Sequence, residues 1–217
     1  MTATVEVRGF AVGPLQENAW LLTNHASREA VLIDPGDEAQ RLMAAVAESE
    51  CTLQAIWLTH AHFDHLGAVE EILRTTSVPV WLHPLDRPLY GLAAASALRY
   101  GLRIEQPTAD TVPLAEGDTL RLGTAEFRVW HLPGHAPGHV AFIGEGLCMS
   151  GDVLFEGSIG RTDLPGCDPG AMQRSLQRLA TLPPDTRVLS GHGDATSIGR
   201  ECLENPFLRG YARPVGA

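Results

Sequence analysis

The sequence predicts a layered α/β protein in which helices cover β-sheets. Three observations support this fold class. Short segments with strand-type patterning fill the first third of the chain and resume at residue 119. Segments with a helical spacing of apolar residues lie between them, and the last part runs in the order helix, strand, helix. Apolar residues make up 44% and charged residues 19%, which is typical of a folded globular protein and not of a disordered one.

The first part of the chain alternates strand, turn and helix signals. Strands are predicted over ATVEVRGF, NAWLLTN, EAVLID, LQAIWL and VPVWLH. A helix is predicted over EAQRLMAAVAES, whose apolar residues recur at helical spacing, with Asp37 as its candidate N-cap. A second helix is predicted over AVEEILRTT, directly after Gly67. These elements account for the chain as far as residue 83.

Residues 84–118 are the least regular part of the sequence. Prolines interrupt them four times, and the only helical pattern is the short stretch LAAASALRY. We interpret this segment as an excursion from the scaffold and as a candidate lid over a functional site, because scaffolds often carry function on such loops.

Regular elements resume after the excursion. Strands are predicted over TLRLG, EFRVWHL, HVAFIG and LCMSGD. They are followed by a helix over GAMQRSLQRLATL, a strand over RVLSG and a final helix over SIGRECLEN. The 217 residues suffice for one substantial core, so we expect a single domain over 1–217.

Charge and targeting signals narrow the function classes. The net charge is −10, with sixteen arginines and no lysine, which disfavours binding to nucleic acid or to anionic membranes. The start MTATVEVRGF lacks the basic residues and apolar stretch of a secretory signal, and no apolar run approaches the roughly 20 residues of a membrane span. The four cysteines form no CxxC pair. We therefore expect a cytoplasmic protein with free thiols and a small-molecule partner.

The stretch LTHAHFDHLG, residues 58–67, places four strong metal donors at the end of a predicted strand. Histidine nitrogen and carboxylate oxygen are good ligands for Zn²⁺, Mn²⁺ and Fe²⁺. His60 and His62 are two residues apart and would lie on the same side of an extended segment, so both can bind one ion. Asp64 and His65 come from the following turn and can face a second ion.

Three later positions repeat the combination of strand end, glycine and metal donor. They are His135 in LPGHAPGH, Asp152 in MSGDVLF and His192 in LSGHGDA. Glycine permits close approach of the backbone, and an aspartate can bridge two ions with one oxygen on each. His139 also follows Pro-Gly, so the spacing does not choose between it and His135. We interpret the three remaining histidines as non-ligands: His25, His83 and His131.

With THAHFDH, PGHAPGH, SGD and SGHG in this order, the chain resembles the metallo-β-lactamase fold superfamily. The stretch GDVLFEGSIGRTDLPGCD is most similar to short, single-domain glyoxalase II-like hydrolases. The resemblance implies an αββα four-layer sandwich with its site along one edge of two sheets. We expect no counterpart of the C-terminal helical domain with which full-length glyoxalase II helps to hold glutathione.

The resemblance also implies a division of the ligands between two divalent ions. Zn²⁺ is the first expectation, with Fe or Mn as alternatives. The resemblance favours His135 over His139 as a ligand and places Arg161, in GRTDL, near the site. Arg161 would either bind a substrate carboxylate or brace the loop through Asp163. The implied metal sites are His60, His62 and His135 for one ion, Asp64, His65 and His192 for the other, and Asp152 as the bridge.

The implied activity is hydrolysis of an acyl-glutathione or a related thioester by a metal-activated hydroxide. Asp64 would orient that hydroxide or take its proton, which makes it the candidate catalytic residue. The alternative is an iron persulfide dioxygenase of the same fold, with one ion held by His60, His135 and Asp152. A nuclease is disfavoured by the charge, and an exported β-lactamase by the missing signal sequence. A non-catalytic binding module is disfavoured because a residue of the expected type stands at each of the seven ligand positions.

Overall fold

The computed structural model describes residues 5–216, and its first half builds one six-stranded sheet. The first two strands pair antiparallel with their neighbours, whereas the strands from the third to the sixth run parallel to one another. In spatial order, which is also chain order, the strands are β1 Val5–Val12, β2 Glu17–Asn24, β3 Glu29–Ile33, β4 Thr52–Trp57, β5 Val80–Leu82 and β6 Thr111–Pro113.

The second half builds another six-stranded sheet, in which strands that follow one another in the chain are again neighbours. Its strands are β7 Thr119–Leu122, β8 Ala125–His131, β9 Val140–Gly144, β10 Leu147–Gly151, β11 Arg187–Ser190 and β12 Thr196–Ser197. Only β10 and β11 pair parallel in this sheet, within the described residues, and the other neighbours are antiparallel.

Helices cover the outer faces of both sheets. The first sheet is covered by α1 Ala39–Glu48, α2 Val69–Leu73, α3 Arg87–Tyr90 and α4 Ala93–Arg99, and the second by α5 Pro169–Leu179 and α6 Ile198–Glu204. Two of these helices begin at a side-chain cap: Asp168 accepts the Ala171 N–H at the start of α5, and Ser197 accepts the Arg200 N–H at the start of α6. No helix among residues 5–216 has the length and apolar character needed to cross a membrane.

Successive residues of the strands pack into different layers. On β2, Leu21 joins the core beneath the helices of the first sheet, and Leu22 joins the core between the sheets. The inter-sheet core centres on Trp57, whose ring lies 5.7 Å from that of Phe127 and 5.3 Å from that of Phe142. Because both faces of the two sheets are buried, the layers run helix, sheet, sheet, helix. This arrangement confirms the predicted αββα sandwich.

Some local predictions differ from the structure. Asp37 does not cap α1, so that prediction is wrong: the N-cap position is Glu38, which has a left-handed conformation with φ 56°, and no side chain caps this helix. The Asp37 carboxylate instead accepts the N–H of Glu38. The excursion 84–118 contributes β6, which pairs with β5, and β12 was also not predicted. The predicted first strand begins at Ala3, which lies outside the described residues. A single domain over 1–217 stays a prediction, and all four cysteines are free.

The inter-sheet core makes a testable contribution to stability. Phe127 is fully buried, whereas Arg128, the next residue on β8, is exposed. We expect Phe127→Ala to lower the free energy of unfolding by about 3–5 kcal/mol, because it leaves a cavity between the sheets. The matched Arg128→Ala should change it by about 0.5 kcal/mol or less. Urea denaturation followed by circular dichroism measures both, and equal losses would contradict the assignment of this core.

Candidate metal centre

The loops that follow four strands meet at one edge of the sandwich. The chain leaves β4 into the turn that carries His60 to His65, and it leaves β8 towards His135. Asp152 directly follows β10, and His192 comes two residues after β11. The strand-end positions that the sequence singled out therefore come from both sheets. The structure brings all seven predicted metal ligands into one cluster.

The first group consists of His60, His62 and His135, whose ligand atoms lie within 4.8 Å of one another. The Nδ1 atom of His62 is 3.1 Å from Nε2 of His60 and 2.8 Å from Nε2 of His135. Burial lowers the pKa of His62 to about 3, and burial followed by the neighbouring imidazoles lowers that of His60 well below its ordinary value. These rings are therefore neutral near pH 7, which is the form that binds metal ions.

The second group consists of Asp64, His65 and His192. The Oδ2 atom of Asp64 lies 3.4 Å from Nε2 of His192 and 3.9 Å from Nε2 of His65. Burial raises the pKa of Asp64, but the His192 hydrogen bond and the His65 charge lower it further, so the net shift is downward. Asp64 is consequently ionised at neutral pH and can accept a proton or a cation.

Asp152 lies between the two groups. Its Oδ1 atom is 3.4 Å from Nε2 of His65, and its Oδ2 atom is 3.4 Å from Nε2 of His135 and 3.7 Å from Nε2 of His192. Burial would raise the pKa of Asp152, but His65 and the other imidazoles hold it well below its ordinary value. Oδ1 thus faces the second group, and Oδ2 lies between the first group and the second, so the carboxylate can reach both.

The residues present fit a pair of bound cations. Nε2 of His65 and Oδ1 of Asp152 are buried and have no hydrogen-bond partner within the described part of the chain. Buried polar atoms are normally satisfied, and a cation between facing nitrogen and oxygen donors would satisfy these. The donor set of imidazole and carboxylate suits Zn²⁺, Mn²⁺ or Fe²⁺.

In three of the histidine rings, a contact at Nδ1 fixes the ring so that Nε2 points into the cluster. The Nδ1 contacts are Thr59 Oγ1 at 3.0 Å for His60, the Arg161 carbonyl oxygen at 2.8 Å for His135 and Asp34 Oδ2 at 3.1 Å for His65. Such contacts set the tautomer and the orientation of a metal-binding imidazole. In the neutral form, a ring whose Nδ1–H donates to a carbonyl or carboxylate oxygen has an unprotonated Nε2 for the metal.

Two buried carboxylates beside His65 were not predicted from the sequence. Asp34, at the end of β3, accepts both the N–H and the hydroxyl of Thr59, at 2.7 and 2.6 Å. Glu17, at the start of β2, places Oε1 3.6 Å from Nδ1 of His65, and burial raises the pKa of Glu17 well above its ordinary value. The strand-end position of Asp34 in LIDPG was the one available signal, because several of the predicted ligands also follow strand ends.

Asp86 is a third buried carboxylate, and it joins two ligand loops. It accepts the backbone N–H of Ala61 at 3.1 Å and that of Gly138 at 2.5 Å. Ala61 lies between His60 and His62, and Gly138 belongs to the loop of His135. Burial raises the pKa of Asp86 to about 6. The excursion 84–118 therefore supplies a direct link between both halves of the first group.

The remaining histidines belong to neither group of metal donors. His139 contacts the cluster differently from His135: its Nε2 accepts the backbone N–H of Asp152 at 3.0 Å. It therefore positions Asp152 through the main chain. His25 is exposed and pairs with Glu6. The rings of His83 and His131 stack on each other with centroids 4.3 Å apart.

Glycines allow the close approach of these loops. A methyl group at Gly160 would overlap the carbonyl oxygen of Asp152, and one at Gly191 would overlap its Oδ1 atom. Any larger residue at either position would displace the bridging carboxylate. Glycine at position 191 therefore lets the chain just before His192 pass close to the Asp152 carboxylate.

A cleft of about 600 Å³ opens over the cluster, large enough for a small-molecule ligand. His62, Asp64, His135, Asp152 and His192 form its floor. Arg161 lies in its wall, where its guanidinium donates to both carboxylate oxygens of Asp163 at 2.7 and 2.9 Å. The structure thus contains the bracing pair, while a contact of Arg161 with substrate stays a prediction.

A family comparison agrees with this fold and this geometry. Residues 12–192 match the metallo-β-lactamase superfamily, so the chain belongs to that superfamily. The resemblance drawn from the sequence motifs is thereby confirmed. Hydroxyacylglutathione hydrolase GloC of Haemophilus influenzae is 38% identical over 202 residues, which cover 91% of this chain and 95% of that protein.

Two solved structures are also similar to the chain over most of their length. TTHA1623, in a di-iron-bound form, superposes with a TM-score of 0.87 at 50% identity and covers 93% of this chain and 100% of that chain. BLEG-1 B3 metallo-β-lactamase superposes with a TM-score of 0.86 at 42% identity and covers 94% of this chain and 99% of that chain. The names of these similar proteins therefore do not agree on one activity.

The link made by Asp86 leads to a prediction for stability and metal binding. Asp86→Ala leaves the N–H groups of Ala61 and Gly138 without their acceptor, at a cost of roughly 1–3 kcal/mol for each buried donor. The variant also removes the cost of burying the carboxylate, which offsets part of this loss of stability. We expect lower stability and a Zn²⁺ affinity weakened about tenfold or more, measured by chelator competition at pH 8.

Asp110→Ala is the matched control, because Asp110 is an exposed carboxylate of the same excursion. It should leave both the stability and the Zn²⁺ affinity unchanged. An Asp86→Ala protein with the metal affinity of the wild type would show that the link does not position the ligands.

Proposed function

We propose that this protein is a binuclear metal-dependent hydrolase that cleaves an acyl-glutathione or a related thioester. One observation carries the proposal: two groups of metal donors face each other across the Asp152 carboxylate on the floor of an open cleft. The similarity to a hydroxyacylglutathione hydrolase over nearly the full length of both chains supports the choice of substrate.

The proposed ligands are His60, His62 and His135 for one ion, Asp64, His65 and His192 for the second, and Asp152 for both. Two divalent ions would lower the pKa of a shared water and polarise the acyl carbonyl. Zn²⁺ suits this donor set, and the di-iron form of TTHA1623 keeps iron in consideration beside manganese.

The chain's own residues would position the reacting groups. Asp64 is ionised and lies at the cleft, so we propose that it orients the attacking water or accepts its proton. Arg161, held by Asp163, would offer its remaining donors to a polar group of the substrate. A thiolate is a good leaving group, so the mechanism needs no separate acid. The negative charge of the chain favours a small-molecule substrate in the cytoplasm over nucleic acid or a membrane.

Metal content and thioester hydrolysis test the proposal together. Protein purified without added metal should contain close to two ions per chain by mass spectrometry and should hydrolyse S-lactoylglutathione. We expect His62→Ala to lower the metal content and to reduce turnover by roughly two orders of magnitude, because a bound cation would no longer stabilise the charge of the transition state. His25→Ala, which removes an exposed histidine far from the cluster, is the control and should change neither.

Other outcomes would assign a different activity. One iron per chain with O₂ uptake on glutathione persulfide would indicate the dioxygenase alternative, in which His60, His135 and Asp152 hold the ion. Hydrolysis of a chromogenic cephalosporin without hydrolysis of S-lactoylglutathione would indicate a β-lactamase, as the name of BLEG-1 suggests for that relative. Either result would refute the thioesterase proposal.

The part proposed for Asp64 is tested by Asp64→Asn. The amide keeps an oxygen atom near His192 that can bind a metal ion, but it cannot accept a proton as a carboxylate does. We expect turnover to fall by about 100-fold or more, in line with the loss of a general base. Metal content must be measured on the same sample, and the comparison should use protein saturated with Zn²⁺. A variant that retains both ions and full turnover would exclude this part of the mechanism.

A further inference from the structure

One wall of the cleft is formed by the excursion 84–118, through α4 and the residues that follow it. Ser96, Arg99 and Tyr100 line the cleft. Ser96 and Arg99 lie three residues apart on α4 and therefore project from the same side of the helix. The ring of Tyr100 packs 5.4 Å from that of Phe63, which is the neighbour of Asp64 in the ligand turn. This packing anchors the end of α4 beside the metal centre.

Several charged residues around this wall have partners, whereas Arg99 has none within residues 5–216. Arg161, on another part of the cleft wall, donates to Asp163. Acidic residues near α4 are also engaged: Glu105 pairs with Arg74, and Glu70 accepts the N–H and the hydroxyl of Thr108. Within residues 5–216, the exposed guanidinium of Arg99 has neither an ion pair nor a side-chain hydrogen bond.

A cation without a counter-charge in a cleft attracts anionic ligands. Arginine presents a planar set of donors that matches the two oxygens of a carboxylate. The chain has a net charge of −10 and would repel an anionic substrate, so a local cation at the cleft would aid its capture. A thioester of a carboxylate-bearing thiol, such as glutathione, carries its negative charges away from the acyl bond. The carboxylates can then reach the cleft wall while the acyl group lies over the metal centre.

We propose that Arg99 binds a carboxylate of the thiol portion of the substrate and thereby selects anionic over neutral thioesters. This inference rests on the proposed thioesterase function and adds a specificity-determining residue to it. Arg99 does not contact the acyl group in this arrangement. It should therefore act on KM and not on kcat.

The experiment compares two substrates with the same acyl group: S-lactoylglutathione and its dimethyl ester, in which methyl groups mask the charge of both carboxylates. We expect Arg99→Met, in Zn²⁺-loaded protein, to raise KM for the diacid about five- to tenfold, with kcat unchanged. For the diester the variant and the wild type should agree within about twofold. Arg99→Lys, which keeps the charge but not the planar fork, should give an intermediate KM.

The matched control is Arg174→Met, because Arg174 is also an exposed helical arginine but lies on α5, outside the cleft. It should match the wild type on both substrates. The proposal is overturned if Arg99→Met behaves like this control, or if it weakens diacid and diester equally.

Binding of S-hexylglutathione separates this proposal from the proposed function. This probe carries both carboxylates but no acyl bond, so calorimetry measures the contact without hydrolysis. The wild type should bind it more tightly than its dimethyl ester, and Arg99→Met should remove the difference. If the wild type fails to hydrolyse either thioester but this difference is present, the reaction is wrong and the carboxylate contact stands. Equal binding of the acid and the ester by the wild type refutes the contact.

Discussion

The buried Asp152 carboxylate holds the two halves of the metal centre together. One of its oxygens faces His65 and the other faces His135 and His192, at 3.4 to 3.7 Å. A buried charge costs several kcal/mol unless opposite charge lies beside it. Burial lowers the pKa of His65, but the carboxylates of Asp152 and its neighbours raise it further, whereas burial keeps His60 neutral. Protons and metal ions therefore compete for the same positions, and metal binding is coupled to proton release.

Main-chain hydrogen bonds join the two sheets beside this cluster. The carbonyl oxygen of Thr59 accepts the N–H of Val140 at 2.7 Å, and that of Gly191 accepts the N–H of Asn18 at 2.7 Å. The first bond joins the chain just before His60 to the start of β9, and the second joins the chain just before His192 to β2. Ligands from different sheets are thus held by backbone and not only by side chains. Such rigid support is what a preorganised catalytic site requires.

The donor side chains and the cleft wall around Arg99 come from different parts of the molecule. The metal donors sit on short turns at strand ends, where the cores on both sides of the sheets restrain them. One wall of the cleft comes from the excursion 84–118, which adds only the three-residue strand β6 to the first sheet. This separation is consistent with a superfamily whose similar members include a hydroxyacylglutathione hydrolase and a B3 metallo-β-lactamase.

Short-range patterns in the sequence predicted the layered fold and six of the seven clustered side chains, because strand alternation and glycine-flanked donors are local features. They left His135 and His139 equivalent, since both follow Pro-Gly, and only the packing directs His139 to the Asp152 backbone. Spacing also could not reveal Asp34 and Asp86, which act on backbone 25 or more residues away. β12 and β6 have two and three residues, too few for a periodic signal. They form because a neighbouring strand supplies hydrogen bonds, which only the tertiary structure decides.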